Sequence, residues 1–225
     1  RERAPAGAAS PMTLVREPDQ LPSLSPVLEP SAAHAPTAPR VVDAEALRRF
    51  RECVAAHAMH PDDPWVGGYV EYEWTHGRHI FETYAGSLVG KRVLEFGSNI
   101  GASAVVLAML GAEVTGVDVS GAFCEIAELN ALAHGMAKRI KILHSDDTRS
   151  LPLNSDGFDL IVCNSVLEYV QREHLAAVQA ELVRVLAPGG IVLVLGTSSR
   201  LSPKEVHSGR WLVNYVPRWW DRLSG

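Results

Sequence analysis

No stretch of the 225-residue sequence comes near the ~20 consecutive apolar residues that a membrane-spanning helix needs, and its start lacks the apolar core of a secretory leader. A soluble, cytoplasmic protein without a membrane span is therefore expected. Excess charge is scarce as well. The 21 Lys and Arg against 26 Asp and Glu leave a net charge of −5 with no basic block, so extended nucleic-acid binding is not expected. Arg210, Arg218 and Arg222 allow a local basic patch, but solvated arginines fit the pattern as well. Cysteines are few and odd in number: Cys53, Cys124 and Cys163 are far apart and set in apolar patterns. They read as reduced, buried thiols rather than a disulfide framework. The pairs His57/His60 and His76/His79 have helical chelating spacing, yet no acid or cysteine is seen to accompany either, and no metal is expected.

Aromatic side chains are almost missing from residues 1–40, which hold eight of the fourteen prolines. Such a segment buries too little to offset the entropy of ordering and is expected to be a disordered tail. Residues 41–225 are expected to form the folded domain. Its lead, 41–90, begins with Asp43 as the cap of a helix carrying Leu47, Phe50 and Val54 on one face and running to about His60, where Pro61 and Pro64 stop it. The aromatic stretch from Trp65 to Tyr84, broken by Gly67, Gly68 and Gly77, reads as a loop plus one short helix. A regular rhythm then begins. Strands are predicted at 91–96, 113–118, 139–144, 158–163 and 191–197, with helices at 101–110, 121–134 and 171–187. The last helix carries the stripe Leu175, Val178, Leu182, Val185 and Leu186, ended by Pro188-Gly189-Gly190. Short β-branched runs alternating with helices imply an α/β fold: a Rossmann-like, doubly wound, mostly parallel sheet with helices on both faces. Residues 198–225, with Trp211, Trp219 and Trp220, leave this alternation and read as a cap over the strand ends.

Ligands of such sheets bind beyond the carboxyl ends of the strands, where strand order reverses. The first predicted strand delivers Glu95, followed by Gly97, Ser98, Asn99 and Gly101 at a helix start. Bare backbone and free N–H groups suit close approach by a small ligand. A dinucleotide turn would have G-x-G-x-x-G; here Asn99 takes the middle position and the third glycine is absent. A carboxylate at Glu95 also sits badly beside phosphate and well beside an ammonium or sulfonium. Asp118, twenty-one positions after Gly97, is placed to bind a ribose hydroxyl pair, or else to cap the following helix. Asp147 can accept from an adenine amine while the Thr148 N–H donates to the ring, although Asp146 and Asp147 also fit a solvated turn.

Taken in order, the glycine turn, Asp118, the Asp147 loop with Leu151-Pro152, the Phe158-Asp159 strand and Leu186-Ala187-Pro188-Gly189-Gly190-Ile191 resemble a class I S-adenosylmethionine-dependent methyltransferase. The resemblance covers residues 91–197 and is to the small-molecule type, of the ubiquinone/menaquinone methyltransferase-like kind. It implies that Glu95 lies near the methionine amine and that Gly97 to Gly101, with Ser98 and Asn99, pass under the methionine portion. It further implies that Asp118, followed by Val119, binds the ribose, that Asp147 and Thr148 hold the adenine edge, and that Asn164 borders the methionine carboxylate and acceptor entrance. Asn99 departs from the family's usual glycine, but Asn is the residue that best tolerates left-handed backbone. The family also closes its sheet with two further strands, and nothing after Ser199 reads as that pair, so these strands are either absent or replaced.

The expected reaction is methyl transfer to an O, N or C nucleophile of a small molecule, with S-adenosylhomocysteine as product. Where the nucleophile is a hydroxyl, His207 is the first candidate for its base and Tyr169 a second group able to orient it; Glu168 and His174 lie nearby. Arg210, Trp211, Asn214 and Tyr215 form a candidate acceptor pocket, or a helix anchored on the sheet. Tyr69, Tyr72 and Trp74 are candidates for closing over the cofactor. An NAD-dependent oxidoreductase and a non-catalytic cofactor-binding module are the competing readings.

Overall fold

All five predicted strands form: β1 (Arg92–Phe96), β2 (Glu113–Asp118), β3 (Ile140–His144), β4 (Phe158–Asn164) and β5 (Leu186–Leu195). The computed structural model describes residues 38–196 and orders them β3-β2-β1-β4-β5, with every neighbouring pair parallel. Order reverses between β1 and β4, and this puts the ligand edge at the C-terminal ends of β1, β2 and β4. The expected tail up to residue 37 and cap from residue 198 lie outside the described residues.

Alternation along the strands sorts the side chains onto two faces. Val93, Leu160 and Val162 pack with α4 (Ala102–Met109), α2 (Tyr69–Thr75) and α3 (Gly77–Ala85) through Val105, Val106, Trp74 and Phe81. Leu94, Phe96, Ile161 and Cys163 face the other way and meet Val178, Leu182 and Val185 of α6 (Leu175–Val185). Glu95 and Asn164 share parity with Val93 and Val162, so both turn toward α2 and α4. A third cluster joins Phe50 and Val54 of α1 (Ala44–Ala56) to Ile126 and Leu129 of α5 (Gly121–Ala133).

Four details depart from the expected boundaries. Asp43 caps α1 by accepting the Ala46 N–H at 2.9 Å, but the helix stops at Ala56, not His60, because Ala58 turns to a φ of 58° before either proline is reached. The Trp65 to Tyr84 stretch makes two helices, α2 and α3, since Val70, Trp74, Phe81 and Ala85 all find burial in the first core cluster. The helix expected over 171–187 begins only at Leu175, after a short 3-10 turn at Leu167–Tyr169 and a turn in which the His174 N–H donates to Gln171. At its other end Leu186 is already extended and pairs with Phe158; Ala187 to Gly190 bulge before Ile191 pairs with Leu160. β5 therefore starts five residues before the expected 191.

Candidate active site

The turn after β1 is built on backbone that crosses to β2. The Gly97 and Ser98 N–H groups donate to the Val117 carbonyl at 2.8 and 3.0 Å. Gly97 and Gly101 have φ of 78° and 76°, and a Cβ would collide with Val166 at the first and stand 2.9 Å from the Ala127 Cβ at the second. Asn99, between them, takes φ 48°, the left-handed conformation its short polar side chain tolerates. Its N–H donates to Asp118 Oδ2 at 2.8 Å, and Ser120 N–H donates to Oδ1 at 2.9 Å. Ser120, not Asp118, caps α5, accepting the Phe123 N–H. Asp118 is thus buried, fixed by two backbone donors, and each oxygen can still accept a further hydrogen bond.

A cavity of about 240 Å³ opens beside it, lined by Gly97, Asp118, Val119, Thr148 and Tyr169 among others, with Phe96 and Val166 as apolar wall. His174 also reaches this cavity. Tyr169 is 71% exposed on its 3-10 turn. A larger hollow of about 320 Å³ lies at the opposite strand ends, beside Arg92, Glu113 and Arg139. Its two arginines are already paired, Arg92 with Asp159 and Arg139 with Glu113, and it is the edge that α/β sheets do not use for ligands.

Asp147 does not line the 240 Å³ cavity. Its carboxylate accepts from the Arg149 N–H, Nε and Nη2, and Arg149 pulls it down to about 2. Asp146 pairs with His144 at 3.1 Å and is otherwise solvated. The loop that follows is tied down by Glu181, which accepts the Leu151 N–H at 2.6 Å and two donors of Arg184, while Arg184 also reaches the Leu153 carbonyl.

The methionine side of the expected site is a buried polar cluster. Glu95 is 2% exposed, and burial drives its carboxyl well above the usual carboxylate range, with neighbouring Glu73 adding to the rise. Hydrogen bonds from Ser103 and the Ala104 N–H, a free donor of the first turn of α4, pull the other way. Glu95 Oε2 and Ser98 Oγ have no partner although both are buried. Asn164 Nδ2 donates to Glu73 Oε1 at 3.2 Å and to Ser103 Oγ at 3.4 Å. Sequence reasoning missed Glu73 and Ser103. The available signal was an acid inside the apolar stripe Val70, Trp74, Gly77 and Phe81, where a core position would carry a hydrocarbon.

Of the aromatic candidates for closure, Trp74 is instead a core residue, packed with Phe81 and covered by Arg78 at 4.6 Å. Tyr69 is partly buried beside Glu73; Tyr72 is exposed and stacks on His76. The reading that no cysteine or acid accompanies the histidine pairs is corrected for His57. One helical turn stacks Cys53 next to it, and α5 contributes Glu125, so the three donor atoms lie within 4.8 Å of one another. Burial and Glu125 hold the Cys53 thiol up, so a cation would have to displace its proton. His207, Arg210, Trp211, Asn214 and Tyr215 lie outside the described residues.

Residues 93–190 match a family described as a methyltransferase domain. Among curated proteins, the chain is 30% identical over 158 residues to a ubiquinone biosynthesis O-methyltransferase of Psychrobacter arcticus, covering 70% of this chain and 60% of that one. It is 33% identical over 124 residues to the enzyme of that name from Haemophilus ducreyi, covering 54% and 51%. The chain thus spans between half and three-fifths of the length of these relatives. A solved structure from Methanococcus maripaludis, described as an S-adenosyl-L-methionine-dependent methyltransferase, superposes with a TM-score of 0.52 at 20% identity, over 68% of this chain and 64% of that one. The [4+2]-cyclase SpnF superposes with a TM-score of 0.50 at 27% identity, over 61% and 51%. The shared fold therefore leaves the reaction to be argued from the site.

Proposed function

We propose that the chain transfers a methyl group from S-adenosylmethionine to an O, N or C nucleophile of a small-molecule acceptor. One observation carries this reading: buried Asp118, at the end of β2, is fixed by the Asn99 N–H of the left-handed Gly97 to Gly101 turn, and Glu95, in β1 just before that turn, keeps an unpartnered oxygen. A ribose and an ammonium satisfy those two groups. Asp118 would suit the ribose of a dinucleotide equally, but the phosphates of one would meet the Glu95 carboxylate beside the turn, which weighs against it.

The cofactor would supply an electrophilic methyl carbon on a sulfonium, with S-adenosylhomocysteine as the leaving group. The chain's own work is to bind, align and exclude water. Asp118 accepts the ribose hydroxyls beside Val119. The Thr148 N–H meets the adenine ring, with Asp147 accepting from its amine through a carboxylate shared with Arg149. Phe96 and Val166 form the dry wall of the cavity. Asn164 faces the methionine end and the acceptor entrance, and Tyr169, at the cavity rim, is placed to orient an acceptor hydroxyl. His207 remains the proposed base, with Arg210, Trp211, Asn214 and Tyr215 as the proposed acceptor pocket. Two buried free thiols, Cys124 and Cys163, support residence in a reducing, cytoplasmic setting.

Calorimetric titration with S-adenosylhomocysteine and with NAD tests the cofactor. Tight binding of the first and none of the second is expected; the reverse refutes the reading. Incubating extracts with labelled S-adenosylmethionine and following the gain of one methyl by mass spectrometry tests the reaction. Cofactor binding without any methylated product would leave a cofactor-binding protein of another function.

A further inference from the structure

Glu73 occupies a core position of α2 and is 4% exposed. Space is kept for its carboxylate, since a side chain at Gly77 would run into Glu73 Oε2. Oε1 accepts from Asn164 Nδ2 at 3.2 Å. The same Nδ2 donates to Ser103 Oγ, which leaves the Ser103 hydroxyl hydrogen for a carboxylate. That hydroxyl is within hydrogen-bonding reach of both Glu73 and Glu95. Glu95 Oε2, buried and without a partner, completes the cluster. Two buried acids that share one hydroxyl disfavour both being charged unless a cation lies with them. An empty pair must retain a proton, and a filled pair need not.

We propose that Glu73 and Glu95 together form the subsite for the α-ammonium group of the cofactor, and that the ligand-free pair holds a proton which the incoming ammonium displaces into solvent. This rests on the cofactor reading above and adds Glu73 to the binding machinery. Burial raises both carboxyls, Glu73 against the hydrogen bonds of Asn164, Ser103 and Tyr69. The other ionisable groups facing the pair are Tyr69 and His76 from α2 and Asp118 from the end of β2. Tyr69 is itself pushed up by burial and by both acids and stays neutral at pH 7, so it supplies no countercharge. His76 lies on the solvent side, stacked on Tyr72 and donating or accepting at the Tyr72 carbonyl. A bound ammonium is thus the cation that the geometry lacks.

The test is calorimetry of S-adenosylhomocysteine with the full 225-residue chain at pH 7, in buffers of different ionisation enthalpy, comparing the parent with Glu73→Gln and Glu73→Asp. The parent should release protons on binding. Glu73→Gln should release fewer and bind roughly tenfold or more weakly, the worth of one charge-assisted hydrogen bond. It should also melt no lower than the parent, because an amide removes the like-charge conflict. Glu73→Asp should recover part of the proton release. The des-amino analogue of S-adenosylhomocysteine should discriminate poorly between parent and Glu73→Gln. Normal affinity and proton release in Glu73→Gln would overturn the proposal, as would a lower melting temperature with unchanged affinity, which marks a packing role alone. Failure of the parent to bind S-adenosylhomocysteine would overturn the cofactor reading itself and this proposal with it.

Discussion

Asp118→Asn separates the two jobs that the structure and the cofactor reading give to one carboxylate. In the folded chain Oδ2 accepts the Asn99 N–H at 2.8 Å and Oδ1 the Ser120 N–H at 2.9 Å, with the residue 8% exposed. An amide of the same shape has one acceptor oxygen, so one of the two backbone donors must face an NH2. Leaving a buried donor unpaired costs about 1–3 kcal/mol, and the unfolding free energy should fall by that amount. Of the two ribose hydroxyls, one then faces an NH2 and the other keeps only a neutral acceptor. A hydrogen bond to a charged group is worth about 1.5–3 kcal/mol, so S-adenosylhomocysteine should bind about 10- to 150-fold more weakly. Urea denaturation reads the first effect, and calorimetry on fully folded variant the second. Were stability to fall as expected while affinity stayed within about threefold of the parent, a difference below 1 kcal/mol, Asp118 would only hold the turn and the ribose assignment would be wrong.

Gly101→Ala must place a β-carbon on backbone at φ 76° and 2.9 Å from the Ala127 Cβ; a loss of about 2–4 kcal/mol in denaturant unfolding is expected from strain and crowding together, whereas Asn99→Gly, at φ 48°, should change stability by less than about 1 kcal/mol. Glu73 and Glu95 are held above the ordinary 4.5 of glutamate, so between that value and their raised values the folded chain binds more protons than the unfolded one, and stability of the ligand-free protein should decline as pH rises. Glu73→Gln should flatten this decline, and the comparison cancels the opposite slope from His134, whose burial holds it below 6.5; parallel pH profiles of the two proteins would refute the assignment. In native protein near pH 8, thiol reagents should label Cys53 first and leave Cys124 and Cys163 unreacted until unfolding, since both are buried and burial pushes Cys163 up to about 12; fast labelling of Cys163 would show that the sheet opens.

The strands and the motif order were legible because period-2 and helical alternation are local properties, and because a strand, a glycine turn and an acid in fixed order describe a backbone path without reference to anything distant. Gly97, Asn99 and Gly101 have the left-handed φ that their residue types announce. Boundaries were less legible wherever a single residue's backbone decided them, as at Ala58 ending α1 or Leu186 joining β5 early. The aromatic lead reads as loop with one helix in the sequence because its apolar spacing becomes a two-helix pattern only against the core surface of α4.

What the sequence by itself determined is the parallel α/β scaffold, the turn and the acids at its strand ends, since each follows from neighbouring residues. What only the tertiary structure decided is which distant groups share a site. Glu73 meets Asn164 from ninety-one positions away because α2 packs against α4 and the sheet, and Cys53 and His57 meet Glu125 because α1 packs on α5. Trp74 turned to the core for the same reason: burial is settled by the whole set of neighbours, and local pattern records only one side of each contact.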